Sequence, residues 1–162
     1  MTLLVPMSAA HFSAFLEAAI AGYAEQNVAS GRWPADTALE LSKAEHERLL
    51  PDGIGSKDNH IFEIQDLETN AVVGVLWLGI QNKTAIPLGY VLNIEIAAEH
   101  RRKGHATRAL KALESVVRNL GLSAVGLHVF AYNTGAQALY ASLGYEVTAL
   151  NMRKSLGSES GV

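Results

Sequence analysis

The stretch Ile94-Glu95-Ile96-Ala97-Ala98-Glu99-His100-Arg101-Arg102-Lys103-Gly104-His105-Ala106-Thr107-Arg108 changes its period partway and sets the reading of the rest of the chain. Up to Ile96, apolar and polar residues alternate, as on a strand whose side chains point to opposite faces in turn. From Ala106 the apolar residues recur at helical spacing, through Leu110, Leu113, Val116, Val117 and Leu120, and Gly121 stands where a helix would end. Between the two periods lies a basic turn with one glycine. Strand, turn and helix in that order place small residues and cations at a helix N-terminus. There, unpaired N–H groups and the positive end of the helix dipole coincide. A pyrophosphate is the kind of ligand such a turn suits. Without the glycine, the same charges would read as a solvated helix start.

Working outward, residues 88–97 read as a strand with Tyr90, Leu92, Ile94 and Ile96 on one face and Val91, Asn93 and Glu95 on the other. Residues 71–80 form a long apolar run, expected to be a strand covered on both faces. Residues 60–64 alternate as a further strand, and residues 67–70 turn. Earlier still, a helix is expected over residues 8–26, with Phe12, Phe15, Leu16, Ala19 and Ile20 inward and Ser8 as N-cap. A second helix is expected over residues 35–49, with Ala38, Leu41, Ala44, Leu49 and Leu50 on its inner face. Downstream, a buried strand is expected over 124–130. A helix over 133–143 follows, with Ala136, Leu139, Tyr140 and Leu143 inward, and then a hairpin-like pair at 145–148 and 149–154. Residues 155–162, small and polar, are expected to fray. The order predicts an α/β (α+β) three-layer sandwich around one mixed sheet. A single domain is expected over residues 1–154, with a helical acceptor-side region at 1–58 and a core at 59–154.

Composition narrows the ligand. The chain has 162 residues, 49% apolar and 18% charged, an ordinary globular balance. It has no cysteine, which excludes disulfides, thiolate metal sites and a cysteine nucleophile, and fits a cytoplasmic protein. No apolar run is long enough to cross a bilayer, and the first residues lack the pattern of a signal peptide. A net charge of −3 argues against a nucleic-acid binder. The positive charge is local instead, at Arg101, Arg102, Lys103, Arg108 and Lys111, which suits a small anion. Arg101-x-x-Gly104-x-Ala106 lacks the three glycines of the dinucleotide fingerprint and the Gly-Lys-Ser/Thr of a P-loop. It keeps what those loops share, a helix start without bulk. N–H groups over residues 102–107 could each contribute roughly 1.5–3 kcal/mol in a charge-assisted bond to phosphate oxygens.

Two motifs then carry a resemblance. Ile96-Ala97-Ala98-Glu99-His100-Arg101-Arg102-Lys103-Gly104-His105-Ala106 resembles the V-x-P-E-x-[RQ]-x-x-G-x-[GA] motif of the GNAT superfamily of acyl-coenzyme A-dependent N-acetyltransferases. Ala98 replaces the usual proline and Ala106 the commoner glycine. Asn133-Thr134-Gly135-Ala136-Gln137-Ala138-Leu139-Tyr140-Ala141-Ser142-Leu143-Gly144-Tyr145, after Leu127-His128-Val129-Phe130, is similar to that family's N-x-x-A-x-x-L-Y-x-x-L-G-[FY]. The resemblance covers residues 73–154, and the first sixty only by helix order. It implies that the strands ending at Ile96 and Phe130 splay apart and hold acetyl-coenzyme A in the gap. Backbone groups of Ile94 and Ile96 would pair with the pantetheine arm. The turn, with Arg101, Arg102, Lys103, Gly104, His105, Ala106 and Thr107, would hold the pyrophosphate. Asn133 would fix the cofactor arm, and Tyr140 would sit near the thioester sulfur.

The expected reaction is direct attack of a primary amine on the thioester. Presenting a lysine-like amine neutral at pH 7 costs roughly 4–5 kcal/mol, so a base or water relay is expected. Tyr140 is the candidate acid for the leaving thiolate. Glu95 is the candidate base and His128 its rival, with Glu63 and His60 behind them. His100 and His105 read as surface residues, and no histidine pair has metal spacing. Trp33, Trp77, Tyr23 and Glu25 are candidates to line the acceptor pocket, the tryptophans equally candidates for the core. The acceptor is a small-molecule or peptide amine, with neither nucleic acid nor membrane as partner, and a homodimer stays open. The competing reading is a non-catalytic acyl-coenzyme A-binding sensor or interaction module.

Overall fold

A computed structural model of the chain describes residues 1–158. Five strands form one sheet in sequence order: β1 (Thr2–Pro6), β2 (Asn59–Asp66), β3 (Val72–Gln81), β4 (Leu88–Ile96) and β5 (Val125–Leu127). The first four pair antiparallel, and β5 joins β4 in parallel. The helices are α1 (Ala9–Ala29), α2 (Ala38–Leu49), α3 (His105–Asn119) and α4 (Thr134–Ser142). The mixed sheet with helices on both faces is the architecture expected. No helix among the described residues is long and apolar enough to cross a membrane.

The sheet separates two cores. On one face Ala109, Leu110, Leu113 and Val117 of α3 pack on Phe62, Ile64, Val73, Leu76, Leu78, Val91 and Ile96, with Leu139, Tyr140 and Leu143 at the margin. On the other, Phe15 and Ala19 of α1 pack with Met7, Leu50, Ile61 and Trp77. β3 supplies both, which is why its sequence is apolar without alternation.

Several expectations need correction. β1 was not expected, and it means the amino-terminal region is not wholly helical: Val5 pairs with Glu63 and Leu4 with Ile64. The buried face of α2 carries Ala38, Ser42 and His46, spaced by four, while Leu41 and Ala44 are exposed. Ser42 is tolerated inside because its hydroxyl donates to the Ile20 carbonyl. Leu120 is exposed beyond the end of α3. The hairpin-like pair at 145–154 does not form, and no described residue after Leu127 is in a strand. Residues 155–158 lie in neither helix nor strand, and residues 159–162 of the tail expected to fray fall outside the described residues.

The alternation expected along β4 is also broken. Trp77 pairs with Asn93 but Leu78 with Val91, so Leu92 is an extra residue in β4. A bulge of this kind shifts which residues face which side. Val91, Ile94 and Ile96 therefore share the α3 face, while Leu92 lies on the α1 face over Gly79, where a Cβ would come within 2.8 Å of its Cδ1. Asn93 and Glu95 pair with Trp77 and Val75 and share the α1 face with them.

Candidate active site

The β4–β5 ladder is short. Gly89, Tyr90 and Val91 pair with Val125, Gly126 and Leu127, and there the pairing stops. β4 continues for five residues and the chain after β5 for three more, with no ladder between them. The opening begins next to the bulge at Leu92. The candidate residues Ile94, Glu95 and Ile96 line one side of it. His128, exposed and with its ring centre 4.8 Å from that of Phe130 in an edge-on arrangement, begins the other.

At the open end β4 runs into a short 3-10 turn, Ala98–His100, and then the basic turn. Arg102 (φ 61°) and Gly104 (φ 82°) both take left-handed backbone, which reverses the chain into α3. The N–H groups of residues 102–107 donate to no carbonyl or side chain among the described residues, the first helical bond being Arg108 N–H to Gly104. A Cβ on Gly104 would lie 2.7 Å from Nη1 of Arg108.

The side chains of the turn are less free than its backbone. Arg101 Nε donates to the Ile96 carbonyl at 2.8 Å, and its Nη2 is 3.9 Å from Glu95 Oε1. Lys103 Nζ donates to the Glu99 carbonyl. Arg102 is exposed. His105, expected at the surface, is buried. Its Nδ1 is 3.2 Å from Thr2 Oγ1 and 3.2 Å from Nη2 of Arg108. Arg108 Nε also donates to Thr2 Oγ1, so the first strand is tied to the turn by two side chains. Burial, and then the Arg108 guanidinium, hold the His105 imidazole below its ordinary pKa. His100 is half-buried, its ring 6.4 Å from that of His105.

On the far wall, Asn133 is the N-cap of α4, its Oδ1 accepting from Ala136 N–H at 3.2 Å. Gln137, not singled out in the sequence, donates to the Phe130 and Ala131 carbonyls and fixes the chain leaving β5. Tyr140 is half-buried on α4, 5.6 Å from the Tyr145 ring. Burial raises the pKa of Tyr140 and pushes that of Tyr145 up to about 12, Glu114 and Tyr140 adding to the latter. The Tyr145 hydroxyl is buried with no partner among the described residues. Tyr140 packs with the α3-side core, whereas Glu95 stands exposed on the opposite face of the sheet, so the two candidates flank the opening from different sides.

The α1 side carries residues the sequence did not mark. His46 is buried, its Nδ1 donating to the Ser42 carbonyl at 2.8 Å, with its ring 5.7 Å from Trp77 and 5.8 Å from Tyr23. The i, i+4, i+8 series Ala38, Ser42, His46 was the available signal. Fully buried Asn27 organises the α1–α2 loop: its carbonyl accepts from the Arg32 and Trp33 N–H groups, its Nδ2 donates to Tyr23 and its Oδ1 accepts from Arg32. Arg32 also donates to the Tyr23 hydroxyl, and its guanidinium lies 5.4 Å from the Trp33 ring centre. Trp77 is core, bonded through Nε1 to Asn59, and Glu25 is exposed. Glu63 is paired with His11 of α1, and His60 stacks on Phe62.

Comparisons with known proteins place this architecture in a family. The model of the Acetyltransferase (GNAT) family matches residues 26–145. The chain is 32% identical over 154 residues, 95% of its length and 98% of the relative's, to the Bacillus subtilis protein named uncharacterized N-acetyltransferase YycN. It is 32% identical over 153 residues to a second uncharacterized N-acetyltransferase of that organism, YdgE, covering 94% and 97% of the two chains. The crystal structure of YycN superposes with a TM-score of 0.91 over 98% of this chain and all of the other. The fold is shared more distantly with AAC(6')-Iy in complex with a coenzyme A bisubstrate analogue, at a TM-score of 0.63, 16% identity and coverage of 98% and 99%. This chain belongs to the GNAT family and is an N-acetyltransferase.

Proposed function

We propose that the protein transfers the acetyl group of acetyl-coenzyme A directly to a primary amine of a small molecule or peptide. The observation that carries this reading is the run of N–H groups at residues 102–107, without acceptors, at the start of α3 where β4 parts from β5. These groups and Arg102 would bind the pyrophosphate, with the α3 dipole adding to them. The side chains of Arg101 and Lys103 would reach it after leaving the carbonyls they hold. The pantetheine arm would lie in the opening, its amides meeting backbone groups of Ile94 and Ile96 as an added strand does. The Ile96 carbonyl is shared with Arg101, so arm and guanidinium meet at one acceptor. The Asn133 Nδ2 donates to nothing among the described residues and is available to the arm.

The amine would approach from the α1 side, where Glu95 and the α1–α2 loop lie. Glu95 would take the ammonium proton, directly or through water, with His128 as the second candidate. The amine nitrogen attacks the thioester carbonyl, the carbon–sulfur bond breaks, the sulfur leaves toward Tyr140, and the second nitrogen proton, lost as the amide forms, passes to the departing thiolate. A phenol at or above its ordinary pKa near 10 faces a thiol near 8.5, so full proton transfer is uphill by at least about 2 kcal/mol. Tyr140 therefore serves best as a hydrogen-bond donor that stabilises the departing thiolate and keeps its own proton. Coenzyme A release from acetyl-coenzyme A, followed with a thiol reagent over a panel of amines, tests the proposal. Amine-dependent release is expected. Tight binding of acetyl-coenzyme A without release for any amine would overturn it and leave the non-catalytic module.

A further inference from the structure

One guanidinium on the α1 side is held in place yet only partly used. Nη1 of Arg32 donates to the Tyr23 hydroxyl at 3.2 Å and to Asn27 Oδ1 at 3.2 Å, and the Trp33 ring centre lies 5.4 Å from its guanidinium carbon. Asn27 is fully buried, and the Tyr23 and Trp33 rings meet edge-on at 5.3 Å. An exposed arginine ordinarily samples many rotamers, whereas this one is anchored from beneath. Its Nε and Nη2 donate to nothing among the described residues, and no described carboxylate forms an ion pair with it. Glu45 of α2 is engaged instead by Arg48, which donates to its two oxygens at 3.0 and 2.6 Å. The free edge of Arg32, Nε beside Nη2, is the fork that matches the two oxygens of a carboxylate.

The fork also stands beside the opening. Val91 belongs to the α3-side core, so Tyr90 before it points to the α1 side, half-buried and paired with Gly126 of β5. Burial, and then Tyr23, raise the pKa of Tyr90, so the ring that holds Arg32 lies near the last paired rows of β4 and β5. Glu95 is on the same face, five residues farther along β4, roughly 15 Å of strand. We propose that the acceptor is a primary amine whose far end carries a carboxylate, with the amine at Glu95 and the carboxylate on Nε and Nη2 of Arg32. This rests on the α1 side being the acceptor side. An α-amino acid has its amine and carboxylate on one carbon and is too short to meet both groups. An ω-amino acid or the C-terminus of a short peptide is long enough. A polyamine, cationic at both ends, would bring like charge to Arg32.

Coenzyme A release is followed for ω-amino acids from 5-aminopentanoate to 8-aminooctanoate and for tetraglycine, each beside its terminal amide, which lacks only the far charge. At least one acid should be preferred over its amide by about tenfold or more in kcat/KM, and Arg32→Gln should bring that ratio to about one. The ratio is internal to each protein, so general damage to the loop lowers both members of a pair and leaves it unmoved. Which series shows the preference tells a free amino acid from a peptide terminus. Calorimetry of the coenzyme A-loaded protein with the same pairs reads the preference without turnover. Binding that favours the acid and loses that bias in Arg32→Gln, without release from any amine, would uphold this site and overturn acetyl transfer. Acids and amides used and bound alike, or a preference that survives Arg32→Gln, would overturn the proposal and leave acetyl transfer standing.

Discussion

The guanidinium of Arg101 holds the last carbonyl of β4, Nε donating to Ile96 O at 2.8 Å. The basic turn is thereby fastened to the strand it follows, and the bond spans five residues of chain. Replacing Arg101 with Gln removes a charge-assisted bond worth about 1.5–3 kcal/mol locally and one cation beside the proposed phosphate site. Acetyl-coenzyme A affinity is expected to fall about tenfold by calorimetry. The melting temperature should drop by only a few degrees, since Arg101 is more than half exposed. Unchanged affinity would remove Arg101 from the cofactor site.

Gly104 sits at φ 82°, and its missing side chain leaves room for Arg108. Gly104→Val combines a left-handed conformation, costing about 1–2 kcal/mol, with displacement of that guanidinium. Cofactor binding should weaken by more than tenfold, and the melting temperature should fall by about 4–8 °C. Wild-type binding by a folded Gly104→Val protein would show that the turn is not the phosphate site.

Tyr140→Phe keeps the ring that packs with Leu139 and Leu143 and removes only the hydroxyl. Turnover is expected to fall by about 100-fold with the cofactor dissociation constant nearly unchanged. Equal turnover would end the donor assignment.

Gly74 faces β4 so closely that a Cβ would lie 2.2 Å from the Glu95 carbonyl oxygen. Gly74→Ala must push β3 and β4 apart where Glu95 stands, costing about 1–3 kcal/mol and lowering turnover. Gly22→Ala, on α1 with nothing within 4 Å of its Cβ, is the control and should stabilise by about 0.5–1 kcal/mol. Thermal melting of the pair, alongside a rate assay, checks both signs.

His105 gives stability a pH dependence. Its folded pKa lies below the ordinary 6.5, so in the window between the two values the unfolded chain binds more protons. The contribution is therefore fully present above about 6.5 and is lost as pH falls through the folded value. Melting temperatures from pH 8 to pH 5 should decline over the acid half, and His105→Gln should flatten the decline. An identical slope in the variant would place the titration elsewhere.

Much of this was legible because backbone geometry and residue type coincide. Gly104 and the apolar spacing of α3 specify the turn, and the two motifs bracket β5. Three features were hidden for definite reasons. β1 is only five residues and pairs across more than fifty residues of chain, so no local period announces it. The bulge at Leu92 is an offset between two strands and leaves the composition of either one intact. His46 and Ser42 are polar residues satisfied within the helical layer, and a reading based on apolar periodicity assigns such residues to solvent. The pair expected at residues 145–154 does not form because composition marks a segment as strand-like without supplying an edge for it to join.

The fully buried Asn27 has a further consequence. It shapes the α1–α2 loop from beneath, receiving the Arg32 and Trp33 N–H groups on its own carbonyl. The loop's course is thus encoded at a position no acceptor would touch, while Pro34, Ala35 and Asp36 at its crest are exposed. Shape and chemistry of the loop are inherited separately. Under the proposed function, the exposed crest is where substitutions are expected to alter amine preference while Asn27 keeps the course of the loop.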